Sequence, residues 1–404
     1  MNKSKFFTGQ PIFTQLLQYL PKSEVHCLAR QNNSDRYYKK FTTHSHLIAM
    51  LYCCYEHCTS LREVVTGMHA CEGKLQSLHL QSLPARSTFS EANKHRSYEV
   101  FESIYYHLFE RYRQFLPDSR FKKDRLSRRL VMIDSTTISL FREILKSAGN
   151  PKADGKKKGG IKVHMAVRAS EDVPCLVRLT PAAQADAPFL KHINLNKGSI
   201  VVMDRGYNGF SKLIEWTNSG VWWVTRLRNN TYYQVKDNYP VNQSQRRSGV
   251  LQDQSIVMGA PTKKIQKVCC RLIKFYDETT KKELSFITNN FRWKASKIAS
   301  IYKRRWQIEL LFKRLKQNTT LEYFLGDNEN AIKIQIFCSL IADLLLKLAT
   351  AGIKRHWAHS NLASLIRLHL MNYTRLIDFL ENPYKCNISD PVPKTQLKLF
   401  EMSG

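Results

Sequence analysis

Two aspartates stand where a carboxylate has chemical work to do. Asp134 closes the run VMID and Asp204 the run VVMD, each an acid in or at the end of an apolar, β-branched stretch. Burying a carboxylate there is costly unless it faces a cleft, a cation or a metal. Asp204 also precedes a glycine-bearing turn, RGYNG, and in open α/β sheets such strand ends line the site crevice. Either one alone is readable as a strand-end Asp capping a turn. The shared context argues for a joint role.

A third carboxylate lies in IYKRRWQIELLFKRLKQN, residues 301–318. At about 100° per residue, with Tyr302 at zero, Arg305 falls near roughly −60°, Glu309 near roughly −20° and Lys316 near roughly −40°. One aromatic, two cations and one carboxylate thus share an arc of about 60°. Ile308, Leu311 and Leu315 occupy a separate arc suited to packing on a sheet. A solvated charged face is the ordinary meaning of such a pattern. Beside two strand-end aspartates the stripe favours a functional reading instead.

The elements that must position these groups have a mixed α/β texture. Residues 1–125 read as helices, with Ser60–Glu63 as a capping box and Thr88–Glu91 as a second helix start after Pro84. Arg30, Arg36, Lys39, Lys40, Arg62 and Arg86 stud these helices and turns. A helix-turn-helix-like DNA reader and a plain helical bundle both fit. From Arg128 the runs RRLVMIDSTTISL, IKVHMAVRAS, PCLVRLTPA, GSIVVMDRGYNG and VWWVTRLR read as strands, with ADAPFLKHINL and FSKLIEWTN as helices. Residues 229–283 are polar and strand-prone and read as a β-rich insertion, after which ELSFITNN resumes the core. A long helix from about Ser296 to Asn318 follows, then an apolar one from Asn330. The expected organisation is an N-terminal helical DNA-binding region (1–125), a catalytic domain (126–228 and 284–350), the insertion (229–283) and a helical C-terminal region (351–404).

The 404 residues carry 63 Lys and Arg against 33 Asp and Glu, a formal net charge of +30. That excess calls for a polyanionic partner, nucleic acid being the commonest. The N-terminus lacks the unbroken apolar run of a signal peptide. The run from Ile336 contains Asp343 and Lys347, which suits a helix packed in protein rather than a membrane span. Cys53, Cys54, His57 and Cys58 lie in a helical pattern without a second ligand pair, so buried thiols outrank a zinc site. The expected compartment is reducing bacterial cytoplasm, at the nucleoid.

Weaker candidates for DNA contact surround the main set. Lys156, Lys157 and Lys158 form a basic run, more often a solvated one. Lys162 and His164 project to one face of their strand, although His164 serves equally as a satisfied structural histidine. Trp222 and Trp223 read as core. Trp293, Tyr232 and Tyr233 are candidates to stack on an unpaired base, and Arg246 and Arg247 to track phosphate.

Between Arg128 and Thr350 the chain resembles the DDE transposases of the IS4 family, relatives of the Tn5 and Tn10 transposases. The signature Tyr-x2-Arg-x3-Glu-x6-Lys is met by Tyr302, Arg305, Glu309 and Lys316, and the MID and MDRGY contexts supply Asp134 and Asp204. The segment NSDRYYKKFTTHSHLIAMLY resembles the family's leading domain more loosely. The resemblance implies an RNase H-like catalytic core and cut-and-paste transposition, with hairpin formation as one route. It implies two Mg²⁺ ions, replaceable by Mn²⁺, with Asp134 bridging both and Asp204 and Glu309 each completing one site. Such ions sit about 4 Å apart, activate the nucleophile and stabilise the leaving oxygen. Arg305 and Lys316 would then hold phosphates and Tyr302 the adjoining backbone, in a homodimer pairing two terminal inverted repeats with target DNA. The alternatives are a nuclease of the same fold without strand transfer and a non-catalytic, domesticated DNA-binding protein.

Overall fold

The computed structural model describes residues 9–383 except 79, 81, 117–124, 140–149, 152–156, 159, 260–266, 320 and 322; Lys156 lies outside them. The chain opens with α1 (Ile12–Leu17), α2 (Lys22–Gln31), α3 (Thr43–Glu56), α4 (Leu61–Ala70), α5 (Arg86–His95) and α6 (Glu99–Tyr112). Helix α2 ends where Asn33 takes the left-handed conformation at φ 50°. The Ser34 N–H then reaches the Ala29 carbonyl and the Asn33 N–H that of Arg30, satisfying the last turn. Ser60 caps α4 by accepting from the Glu63 N–H, while the Glu63 carboxylate accepts from the Thr59 N–H. Helix α5 begins two residues before the expected Thr88 start. Extended backbone at Ala85 after Pro84 launches it, with no side-chain cap.

The α2–α3 pair is not a helix-turn-helix reader. Helix α3 is buried at every residue from Thr43 to Tyr55 and presents no face to a groove.

The short α7 (Arg125–Arg129) leads into β1 (Leu130–Ser139), followed by the two-residue strands β2 (Asn150–Pro151) and β3 (Lys157–Lys158), β4 (Gly160–Arg168), β5 (Pro174–Pro181), β6 (Ile200–Met203), α8 (Phe210–Asn218) and β7 (Trp222–Arg226). ADAPFLKHINL, expected as a helix, forms a six-residue 3-10 helix at Ala187–His192 instead of an α-helix. Strand order in the main sheet begins β5-β4-β1-β6-β7. The first three pair antiparallel, and β1, β6 and β7 run parallel. This is the RNase H-like arrangement.

Residues 229–283 supply β8 (Tyr233–Asn238), α9 (Gln243–Arg247), β9 (Val250–Met258) and β10 (Val268–Asp277), ahead of β11 (Lys282–Thr288). They interrupt the α/β series in sequence but not in space. Strand β11 pairs with β7, and β10, β9 and β8 continue outward, so one nine-stranded sheet results. The Arg246-Arg247 segment is helical because Asn242 and Gln245 close a reciprocal capping box.

The helix expected over Ser296–Asn318 is two: α10 (Ala295–Lys303) and α11 (Trp306–Asn318), separated by a turn at Arg304-Arg305. Beyond them lie α12 (Glu329–Ala351), α13 (His359–His369) and α14 (Leu376–Glu381). Helix α12 is the one helix among the described residues long and apolar enough to cross a membrane, and it is mostly buried inside the protein. The two charges within its apolar run, Asp343 and Lys347, are paired. Asp343 accepts from Arg314 of α11 at 2.9 Å, and Lys347 donates to Asp172 of the β4–β5 turn at 2.8 Å. Arg314 also reaches Asp172, at 2.8 Å. Burial pushes both carboxyls up, but the surrounding cations hold them well below the usual carboxylate range.

Candidate active site

The parallel register of β1 and β6 brings the two aspartates together. Ile133 pairs with Met203, so Asp134 and Asp204 occupy the next rung, at the point where β6 leaves the sheet. Equivalent positions on neighbouring parallel strands lie about 4.8 Å apart and project to one face. Ile133 and Met203 pack into one apolar cluster, while Met132 and Val202 face the opposite one with Ile308, Leu311 and Leu315 of α11. The alternation of the pleat therefore turns both aspartates toward α11.

Helix α11 delivers the third carboxylate. Arg305, in the turn before it, donates to Asp134 through one terminal nitrogen and to Glu309 through the other. Asp204 is held by Arg226 at 2.7 Å and by the Tyr302 hydroxyl at 3.3 Å. Tyr302 is wedged between cations and core: the Arg305 and Arg226 guanidinium carbons lie 5.7 and 5.9 Å from its ring centroid, and Phe286 packs 4.8 Å away. Asp134, Asp204, Arg226, Arg305, Glu309 and Lys316 all line one cleft of about 640 Å³.

The electrostatics follow from crowding. Burial raises Asp134 most; Arg305 and the Ser135 N–H oppose it, Asp204 and Glu309 add to it, and the carboxyl is pushed up to about 6. Burial also pushes Asp204 up, yet Arg226, the Arg205 N–H and Arg305 hold it below its ordinary value. Arg305 is driven the opposite way by Tyr302, Asp134 and Glu309, which outweigh its burial and keep it charged. The buried Nε–H groups of Arg226 and Arg305 have no acceptor among the described residues.

A second group of side chains lies beside the two aspartate-bearing strand ends. Asp186 accepts from Ser135 Oγ at 3.2 Å and from Lys162 Nζ at 3.0 Å. A Cβ on Gly206 would sit 2.7 Å from Asp186 Oδ2, so the RGY turn approaches this carboxylate as only glycine can. On the far side of that turn Arg228 donates to the Arg205 and Gly206 carbonyls, both at 2.7 Å. Sequence reasoning missed Arg226, Arg228, Asp186 and Ser135. The alternating arginines of VTRLR, at the end of a strand neighbouring the Asp204 strand, are the signal that pointed to two of them.

Not every expected contact lies at the cleft. Lys162 is spent on Asp186 and the Gln184 carbonyl. His164, expected to approach nucleic acid, is 1% exposed and bonded to Tyr207 Oη at 3.0 Å and Thr180 Oγ1 at 2.9 Å. Burial, with Lys162 nearby, lowers it to about 4, so it is neutral and structural. Trp293 packs 6.0 Å from Trp222. Trp222 begins β7 and Arg226 ends it, so Trp293 sits at the opposite end of the sheet from the carboxylates. Tyr232 and Tyr233 lie at the start of β8, opposite Met258, also remote from the cleft. Trp223 is core, and Cys53, Cys54 and Cys58 are buried thiols.

The three carboxylates supply an all-oxygen, like-charged donor set, which fits divalent metal. Among the described residues no cluster is drawn tightly enough to hold an ion as it stands; the arginines occupy the position of the positive charge.

Residues 125–345 match the family described as Transposase DDE domain, and residues 8–80 one described as a domain of unknown function. The chain is 32% identical over 234 residues to a putative transposase, y4zB, of Sinorhizobium fredii, covering 56% of this chain and 64% of the relative. It is 26% identical over 263 residues to a probable transposase for insertion sequence element IS5377 of Geobacillus stearothermophilus, covering 65% and 66%. It is 27% identical over 267 residues to a putative transposase for insertion sequence element IS4SA of Synechocystis, covering 65% and 71%. The matched region thus spans just under two thirds of the length of the first two relatives. A solved piggyBac transposase synaptic complex with hairpin DNA aligns at TM-score 0.45 and 8% identity, over 90% of this chain and 81% of that one, a likeness too slight to bear on activity.

Proposed function

Because the chain belongs to the transposase DDE domain family, we propose that it is a DNA transposase that cuts the ends of its element and joins the freed 3′-hydroxyls to target DNA. One observation carries the reading: Asp134 and Asp204 on adjoining strand ends and Glu309 on α11 face a single cleft with Arg226, Arg305 and Lys316. A lone carboxylate cluster would repel a phosphodiester, and a lone cation cluster would bind one without cutting it. Together they divide the labour.

Asp134, Asp204 and Glu309 would hold the divalent metal, Mg²⁺ or Mn²⁺. Such ions supply Lewis-acid stabilisation of the attacking and leaving oxygens. Asp134 is central, flanked by both other acids. Lys316 reaches into the cleft as a phosphate contact, and Arg226 and Arg305 line the same cleft as further cations for backbone oxygens. Tyr302, bonded to Asp204 and packed at a tilt against Phe286, positions the strand beside the acids. Two protomers pairing two element ends complete the proposal.

A labelled element end incubated with the full chain, a target plasmid and Mg²⁺ tests it. Joined products are expected. Cut ends without joining would reduce the protein to a nuclease, and no cutting with either metal would overturn the reading.

A further inference from the structure

We propose that the loop joining α2 to α3, residues 33–42, is a preformed DNA-binding knuckle, with Arg36, Lys39 and Lys40 on backbone phosphate and Tyr37 against a base or sugar face. The proposal rests on the transposase reading above and adds a second DNA contact far from the carboxylates in sequence.

Underneath, the loop is held by a side chain that has no other task. Arg96 is 1% exposed. It donates to the Phe41 carbonyl at 2.7 Å, to His46 Nδ1 at 2.9 Å, and more loosely to the Ser34 and Thr42 carbonyls and the Asp35 carboxylate. Its guanidinium lies 4.0 Å from the Tyr38 ring centroid. His46 accepts at Nδ1 and so donates from Nε2 to Asn93 at 2.7 Å, which fixes its tautomer. The two loop ends are joined by Asp35, which accepts from the Thr43 N–H at 2.6 Å and the Thr43 hydroxyl at 2.8 Å. Asn330, near the start of α12, secures the Arg96 carbonyl at 2.7 Å.

The outward face has the opposite character. Tyr37 is 82% exposed, the most exposed of the large hydrophobic side chains among the described residues. Arg36, Lys39 and Lys40 are exposed, and none makes an ion pair among the described residues. A buried arginine this fully engaged costs desolvation. A turn needing only to connect two helices does not require it; a turn presenting three cations and one ring in fixed geometry does. Pre-ordering removes the entropy that a floppy basic loop would lose on binding. A net charge of +30 favours DNA over a protein surface as the occupant.

The test uses the full chain, a labelled duplex carrying the inverted repeat that flanks the gene, and a random duplex of equal length. Affinity is measured across salt concentrations for wild type, for the combined Arg36→Ala, Lys39→Ala, Lys40→Ala variant, and for Tyr37→Ala and Tyr37→Trp. Each phosphate contact contributes about 0.9 to the slope of log affinity against log salt. The triple variant should therefore flatten the slope by about two to three. Tyr37→Ala should weaken binding roughly tenfold at unchanged slope, and Tyr37→Trp should retain it. Variants that bind like a wild type of steep salt dependence would overturn the knuckle alone, as would loss of self-association with DNA affinity intact. A wild type that binds neither duplex would overturn the transposase reading itself.

Discussion

The guanidinium of Arg305 donates to the carboxylate of Asp134 across 171 residues of chain, and to Glu309 one helical turn away. Two of the acids proposed as metal ligands are thus held by an internal cation. Replacing Arg305 with Gln should lower metal-free stability by about 3 kcal/mol, the scale for breaking a partly buried ion pair. The loss should shrink when Mg²⁺ is added, because the metal then neutralises the same acids. Lysine should not rescue, since one ammonium cannot span both carboxylates as a planar fork does. Urea unfolding with and without Mg²⁺ measures this; equal metal-free midpoints would exclude the counter-ion role.

Asp204→Asn keeps the shape of the side chain and its contact with Arg226 but removes the charge a metal needs. Cleavage of a labelled end should fall more than about a hundredfold, since residues that only support a metal ligand are already worth about 10- to 100-fold. End binding should persist. Gel-shift and cleavage assays on one preparation separate the two, and cleavage at the wild-type rate would remove Asp204 from the site.

Asp134 is raised to about 6, and the direction of its pH effect follows. The folded, metal-free protein holds this proton more tightly than the unfolded chain does. The group therefore favours folding below about pH 4, and that contribution is lost as pH rises through about 6, by up to roughly 3 kcal/mol. Metal competes with the same proton. The rise in melting temperature produced by Mg²⁺ should be small at about pH 5 and should grow to a plateau above about pH 7. A rise independent of pH would show that Asp134 is not a ligand.

Arg314 of α11 lies between Asp172 and Asp343, so its removal would leave Asp172 to Lys347 alone and strip the buried Asp343 of its arginine. Arg314→Ala should cost about 3–5 kcal/mol at neutral pH. Because both carboxyls are held below their ordinary value, the wild-type advantage is present above about pH 4 and fades as pH falls further. Urea midpoints of both proteins at about pH 7 and about pH 3 should converge at the lower value; a constant gap would point to packing alone.

What was readable in the chain divides by range. Asp134, Asp204 and the Tyr302–Lys316 stripe could be read because each depends on local context, an acid at an apolar strand end or spacing on a helix. Even the break at Arg304 left Arg305, Glu309 and Lys316 facing one cleft, with Tyr302 bonded to Asp204 beside it. Asp186 and Arg226 escaped notice because their roles arise from pairing between strands distant in sequence. That His164 is covered and that Trp293 packs at the other end of the sheet were hidden for a related reason. Period-two alternation assigns a face but not which end of a sheet a residue occupies, nor whether another layer covers it. The continuation of β8–β10 from the catalytic sheet was hidden likewise, since polar residues on outer strands look the same in a separate module.

Helix α12 packs against α1, α3, α5 and α6 on one side of the sequence and against α11 and α14 on the other, within a single apolar cluster that runs from Ile12 to Leu380. The leading helices are therefore not a detachable head on a catalytic body. Deleting them would strip an oily rod of its coat and yield aggregate rather than a trimmed enzyme. The segment that carries Glu309 and the segment that carries Tyr37 are mortared into one block, so neither can shift without dragging the shared core with it.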